Sequence, residues 1–110
     1  MRVRVEVVLA PGVASVVAAE LRVDVLDVTE HDAPARRVSR ATLAEAALGN
    51  EPVTLDVEVA LDPSRDHVVR AVADLAGTGG TDPGDLTTTT RVAVSADHPR
   101  ARLVLHRATG

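Results

Sequence analysis

The stretch VTLDVEVAL, residues 53–61, alternates apolar and polar side chains with a period of two. In an extended strand this spacing places the valines and leucines on one face and the polar residues on the other. Four further stretches share the period: Val3 to Val7, Leu21 to Val25, Val69 to Leu75 and Ala101 to Leu105. The β-branched Val residues also favour a pleated, half-buried surface. The pattern therefore predicts an all-β fold.

Turn-forming residues separate these stretches, because Pro, Gly, Asn and Asp favour the backbone angles that turns require. They lie in Pro11-Gly12, in TEHDAP (29–34), in Asp62-Pro63, in AGTGGTDPGD (76–85) and in SADHPR (95–100). Short strands with no helical period between them are typical of a sandwich. We predict one domain over residues 1–110, a seven-stranded antiparallel β-sandwich that is Ig-like or prealbumin-like.

Four segments give weaker patterns. Val13 to Glu20 is predicted as an irregular approach to the second strand, and Arg37 to Leu43 as a strand. Ala44 to Leu48 is predicted as a short helical or coil excursion, and Leu86 to Val94 as one Thr-rich strand.

Composition excludes several classes of function. The chain has no aromatic residue, so it cannot stack bases or sugars, and it has no Cys for disulfides, thiolate metal sites or lipid attachment. The net charge is -4 and all 12 basic residues are Arg, spread along the chain, which makes nucleic acid an unexpected partner. No segment approaches the roughly 18 apolar residues of a membrane span, so we expect no membrane insertion and a cytoplasmic chain.

The Gly-rich loop carries the one candidate metal site. Asp74 and Asp85 stand at positions 1 and 12 of an EF-type calcium loop, and Asp82 stands at position 9. Positions 3 and 5 are Ala76 and Thr78, which removes two of the oxygen ligands that this geometry requires. A plain hairpin connection is the favoured interpretation, and an ion-stabilised module is the alternative. No other cofactor is expected.

No residue pattern predicts catalysis. Asp56 and Glu58 share the polar face of their strand, where Arg4 or Arg22 would balance them. Serines lack the GxSxG elbow of a hydrolase. The dispersed histidines form no local metal clasp and are expected at the surface: His31, His67, His98 and His106. We therefore predict that the chain is not an enzyme, and a hydrolase is the least expected function.

Four segments together resemble the YbaY/YscW family of small β-sandwich envelope proteins. In order they are LRVDVLDVTEHDAPA (21–35), VTLDVEVALDPSRDHVVRA (53–71), GDLTTTTRVAV (84–94) and ARLVLHRA (101–108). Members of that family are usually lipoproteins, and the YscW-type members are pilotins that bind and localise an outer-membrane secretin. This sequence has no Cys that could be acylated. The resemblance implies a non-enzymatic domain and transfers no catalytic residues.

The leading hypothesis is a non-catalytic protein-binding or scaffolding domain with an unidentified protein partner. Such a domain would use an exposed sheet edge or an apolar groove. A signal segment upstream of Met1 would place it in the cell envelope instead of the cytoplasm.

Overall fold

A computed structural model describes residues 1–108, which form eight β-strands and no helix. The strands are β1 (Arg2–Leu9), β2 (Val16–Asp27), β3 (Arg36–Leu48), β4 (Val53–Glu58), β5 (His67–Asp74), β6 (Leu86–Thr88), β7 (Val92–Val94) and β8 (Arg100–Arg107). The all-β prediction is confirmed. Across these residues no helix is long and apolar enough to cross a membrane.

One mixed sheet contains all the strands, in the order β3-β2-β5-β6-β8-β1-β4, and β7 also pairs with β5. The β1 and β8 strands are parallel, whereas the other pairs are antiparallel. The sheet rolls up until its two end strands meet, where the Ser39 hydroxyl of β3 donates to the Glu58 carbonyl oxygen of β4 at 2.5 Å. The sheet is thus nearly closed, like a barrel, and one concave face encloses the core.

Two details differ from the predicted sandwich. The Leu86 to Val94 stretch is broken into β6 and β7, which raises the strand count to eight. The parallel β1–β8 pair also departs from a wholly antiparallel sheet. Alternation specifies which face of a strand is buried. It does not specify the neighbouring strand, because a parallel and an antiparallel neighbour can both place their apolar residues on the same face of the sheet.

The β2–β3 hairpin is longer than the sequence pattern predicts. Val16 pairs with Leu48 and Ala18 pairs with Ala46, so Val13 to Glu20 is mostly strand and Ala44 to Leu48 is neither helix nor coil. The local helical preference of Ala is weak, and the ladder with β2 satisfies the backbone groups of this segment. Glu45, with φ of 50°, marks a local kink within β3.

The core consists of Val, Leu and Ala. Its largest fully buried side chains are Leu21, Leu86, Leu103 and Leu105, with valines between them. In β4, Leu55 and Val57 are buried while Asp56 and Glu58 are exposed, as the alternation predicts. The strand ends at Glu58, although the Val59 amide still donates to the Met1 carbonyl oxygen at 2.9 Å.

Candidate functional site

Charged side chains lie buried on the outer face of β2. Leu21, Val23 and Val25 point into the core, so Arg22 and Asp24 point outward, yet they are only 7% and 4% exposed. They are covered by side chains of β3 and β5 and by the loop of residues 75–85. We call this loop the aspartate loop. Within residues 1–108, every buried side-chain polar atom has a hydrogen-bond partner. This outer face is therefore an ordered polar layer.

Asp24 lies between two arginines on neighbouring strands. The strand register places it directly opposite Arg40 of β3 and Arg70 of β5. Arg40 donates from Nε to Oδ1 at 2.6 Å and from Nη2 to Oδ2 at 3.1 Å, and Arg70 donates from Nε to Oδ2 at 3.2 Å. Burial alone would raise the pKa of Asp24, but the two guanidinium groups outweigh burial and lower it. Asp24 is thus ionised at neutral pH.

Arg22 joins β2 to the aspartate loop. Its Nη1 atom donates to Asp74 Oδ2 at 3.2 Å and to Glu20 Oε1 at 3.3 Å, and its Nη2 atom donates to the Gly80 carbonyl oxygen at 3.2 Å. The guanidinium therefore has a structural role, since its charge is balanced by carboxylates at the base of the loop.

Asp74 organises the backbone of the loop. Its carboxylate accepts the amide hydrogens of Gly77 at 2.9 Å, Thr78 at 3.2 Å and Gly79 at 2.8 Å. The Gly79 amide is the main cause of a lowered pKa for Asp74; burial opposes it, and Thr78 and Arg22 add to it. Gly77 and Gly79 have φ of 75° and 84°, angles that favour glycine. The glycines in this segment therefore let the backbone wrap around a carboxylate.

The three candidate metal ligands do come together. One oxygen from each of Asp74, Asp82 and Asp85 lies within 4.8 Å of the others. Each carboxylate already accepts hydrogen bonds: Asp85 binds the amides of Leu75 at 3.0 Å and Asp82 at 2.8 Å, and Asp82 accepts the Thr78 hydroxyl. These contacts hold the loop in a defined conformation, and an ion would compete with them.

We therefore expect calcium to bind this loop weakly or not at all. Calcium needs about 6 to 8 oxygen ligands, and here the carboxylates are engaged by N–H and O–H donors. A ligand at its own dissociation constant stabilises by only about 0.4 kcal/mol, so millimolar calcium should barely change Tm. Calorimetric titration checks this expectation. Micromolar affinity that disappears in Asp85→Ala would establish the ion-stabilised module instead.

Another buried carboxylate, that of Asp27, connects two loops at the end of β2. It accepts from Arg65 Nε at 2.7 Å and from the Thr29 amide at 3.0 Å, and Arg36 Nη2 lies 3.5 Å away. The hydrogen bond from Arg65 is the main cause of a strongly lowered pKa for Asp27, followed by the bonds from Thr29. The ion pair ties the β2–β3 connection to the β4–β5 connection.

Acid should destabilise the protein because of these carboxylates. The pKa values of Asp24, Asp27 and Asp74 are all lowered from the ordinary value of 3.8 in the folded state. Protons therefore bind the unfolded chain first, so the stabilisation is present above about pH 4 and is lost as pH falls through the folded pKa values. Urea unfolding between pH 5 and pH 2 measures this. A free energy of unfolding that stays constant or rises on acidification would contradict the ion-pair assignments.

A break in one strand opens a groove beside this polar layer. Val72 pairs with Thr87 and Val69 pairs with Val92, so two residues of β5 lie opposite the four residues 88–91. Across the break the Ala71 amide donates to the Thr88 hydroxyl oxygen at 3.2 Å, in place of a backbone carbonyl. The groove encloses about 470 Å³, and we call it the arginine groove. Its polar lining includes Arg22, Asp24, Arg40, Arg70, Arg91 and the threonines at 81 and 87–90.

The other candidate residues lie apart from this groove. Asp56 and Glu58 form exposed ion pairs with Arg4 at 3.4 Å and Arg2 at 3.0 Å, so Arg4 balances one of them and Arg22 does not. Their exposure fits the expected solvated face.

His31, His98 and His106 are exposed as expected, but His67 is only 5% exposed and the surface prediction is wrong for it. His67 begins β5, where it pairs with Asp27 of β2 on one side and with Val94 of β7 on the other. His67 is therefore covered because a strand lies on each side of it, although the sequence places this residue just after a turn.

The sequence patterns did not predict the arginine groove. A signal was present in β2, where charged Glu20, Arg22 and Asp24 alternate with core residues on what the pattern treats as a solvated face. Only the strand order reveals that β2 lies inside the sheet, between the arginines of β3 and those of β5.

In sequence comparisons, no protein-family model and no curated protein matches this chain. Among solved structures, the fold is similar to that of an alternative pilotin from the type II secretion system of Vibrio cholerae. The two superpose with a TM-score of 0.75 at 16% sequence identity, over 100% of this chain and 98% of the other. The comparison therefore shows that this chain has a pilotin-like fold over its full length.

Proposed function

We propose that this chain is a non-catalytic protein-binding domain that binds a component of a secretion system. The observation that carries the proposal is the shared fold: the match spans both chains almost completely, at a TM-score of 0.75, and the other chain is a pilotin. More finely, we propose that the chain is of the YbaY/YscW kind and that its partner is an outer-membrane secretin.

The chemistry of the polar layer supports a binding role. Asp24 and Asp74 have lowered pKa values because arginine and amide donors stabilise their charged forms, so neither is poised to donate a proton near neutral pH. The His31, His98 and His106 side chains lie on different turns and strands, away from these carboxylates in the chain. Within residues 1–108, neither carboxylate accepts a hydrogen bond from a serine or threonine hydroxyl that it could activate as a nucleophile.

We accordingly expect no hydrolytic activity. A panel of ester, phosphate and glycoside substrates should give no turnover above that of buffer. Turnover that is lost in His67→Ala or Asp24→Asn would show that the chain is an enzyme and would contradict the proposal.

The seam between β3 and β4 is the surface that we propose for the partner. Among the described strands, β3 has a ladder of backbone hydrogen bonds with β2 alone, and β4 has one with β1 alone. The two facing edges meet at the hydrogen bond from Ser39 to Glu58, but within residues 1–108 no ladder joins them. On β3, Val38 and Leu43 are 36% and 39% exposed. An extended segment of a partner can add to such an edge through main-chain hydrogen bonds while its side chains contact the exposed apolar residues.

Site-specific photocrosslinking in cells that carry the native secretion system tests the proposal. A photoreactive residue replaces Leu43 on the β3 edge, and a matched variant carries it at His98, which is exposed in the turn between β7 and β8. We expect the Leu43 variant to crosslink a secretion-system component, identified by mass spectrometry, and the His98 variant not to. Absence of such a component from the Leu43 products, or equal capture by both variants, would overturn the proposal.

A further inference from the structure

The arginine groove has more positive charge than its own carboxylate balances. Arg40, Arg70 and Arg91 line it together with the single carboxylate of Asp24, in a chain whose net charge is -4. The fourth arginine of the lining, Arg22, is balanced separately by Glu20 and Asp74. We propose that this groove binds the side-chain carboxylates of an acidic peptide segment. The proposal rests on the proposed function, since it assigns the segment to a protein partner.

Arg70 has donors to spare. A guanidinium has five N–H donors, and among residues 1–108 Arg70 uses one of them, from Nε to Asp24. Its side chain is 50% exposed, so the remaining donors are open to the groove or to solvent. The hydrogen bond to Asp24 fixes Nε, which leaves the two terminal nitrogens to form the paired contact that a carboxylate accepts.

Arg91 supplies a second free cation. It is exposed, and within the part of the chain that the structure describes it has no ion-pair partner. It is the last of the three residues, 89–91, that separate β6 from β7 at the break beside the groove. Strand irregularities of this kind re-aim side chains and are common beside binding sites.

The threonines add neutral donors to the same wall. Thr88 accepts the Ala71 amide through its hydroxyl oxygen, so the hydroxyl hydrogen remains available to a ligand. Thr87, Thr89 and Thr90 also line the groove. Arginine forks with hydroxyl donors around them suit an oxyanion better than they suit an apolar or cationic ligand.

The composition and position of the groove favour a peptide. The chain has no aromatic side chain, so a nucleotide or sugar would find no ring to stack on. In the strand order β3-β2-β5, the β5 side of the groove lies two strand spacings, about 10 Å, from the β3 edge. A partner segment at that edge can therefore reach the groove with an acidic stretch of a few residues.

Binding of an acetylated, amidated tetraglutamate peptide tests the proposal, with tetraglutamine and inorganic phosphate as comparison ligands. Nuclear magnetic resonance follows the amides of residues 87–91 and the Nε–H of Arg70 during each titration. The variants are Arg91→Gln, Arg70→Gln and the double variant. Arg107→Gln is the control because Arg107 is equally cationic, is exposed at the end of β8 and lies outside the groove.

We expect tetraglutamate to shift the groove signals and tetraglutamine to leave them unchanged. Loss of a charge-assisted pair should weaken binding by about tenfold in the double variant and by less than about twofold in Arg107→Gln. Arg91→Gln removes only an exposed side chain, so it keeps the test valid even if Arg70→Gln lowers Tm.

Three results would overturn the inference: no shift of the groove signals by tetraglutamate, an equal loss of affinity in Arg107→Gln, or tighter binding of phosphate than of tetraglutamate. If tetraglutamate does not bind the groove, the crosslinking result from Leu43 still stands as a test of the proposed function. Conversely, peptide binding in the groove without a crosslinked secretion component would contradict the proposed function and leave the groove as an anion site.

Discussion

Replacing Val57 by Asp should abolish cooperative unfolding. Val57 is fully buried in β4 and pairs with Val3, which is also fully buried. A carboxylate at this position would lie in a core made only of Val, Leu and Ala, with no donor to stabilise its charge, and such burial costs more than the stability of an ordinary small domain allows. Urea unfolding followed by circular dichroism should show no sigmoidal transition.

The neighbouring variant Glu58→Ala is the matched control. Glu58 is exposed on the opposite face of the same strand and forms one surface ion pair with Arg2. Exposed pairs contribute little, so the free energy of unfolding should change by less than about 1 kcal/mol. Equal effects of the two substitutions would show that the register of β4 is wrong.

The second large effect is expected from Asp74→Ala. This change leaves the amides of Gly77, Thr78 and Gly79 without their acceptor. It also leaves the buried Arg22 side chain with Glu20 as its one carboxylate partner. Removing one partner of a buried ion pair is strongly destabilising, because the remaining charge and donors lose their compensation. We expect Tm to fall by about 10 °C or more.

Asp82→Ala serves as the control for that experiment. Asp82 belongs to the same loop but is exposed, and its carboxylate accepts only the Thr78 hydroxyl among the described side chains. Its removal should change Tm by no more than a few degrees. Similar losses in the two variants would mean that Asp74 does not organise the loop.

Local pattern was sufficient for much of the fold. The period of two predicts a strand at Val3 to Val7, which lies within β1, and it predicts the buried phase of β4 correctly around Val57. The proximity of Asp74, Asp82 and Asp85 could also be predicted, because Asp74 ends β5 and the other two lie in the short loop that follows it. In these cases the deciding contacts lie within a strand or a loop.

Other features depend on which strands become neighbours. Ala44 to Leu48 is a strand because β2 pairs with it, and Leu86 to Val94 is broken because β5 pairs with its two ends in registers that differ by two residues. The parallel β1–β8 pair likewise joins the two ends of the chain. Periodicity does not carry this information, since it specifies a face and not a partner.

The sequence by itself determined that this protein is all-β, with a core of Val, Leu and Ala on one face of each strand. The tertiary structure alone decided the arginine groove. Arg40 and Arg70 are far apart in the chain and flank Asp24 only because β3 and β5 pair with opposite edges of β2. The physical reason is that a side-chain period reports burial along one strand, whereas a binding site is made of charges that long-range pairing brings together.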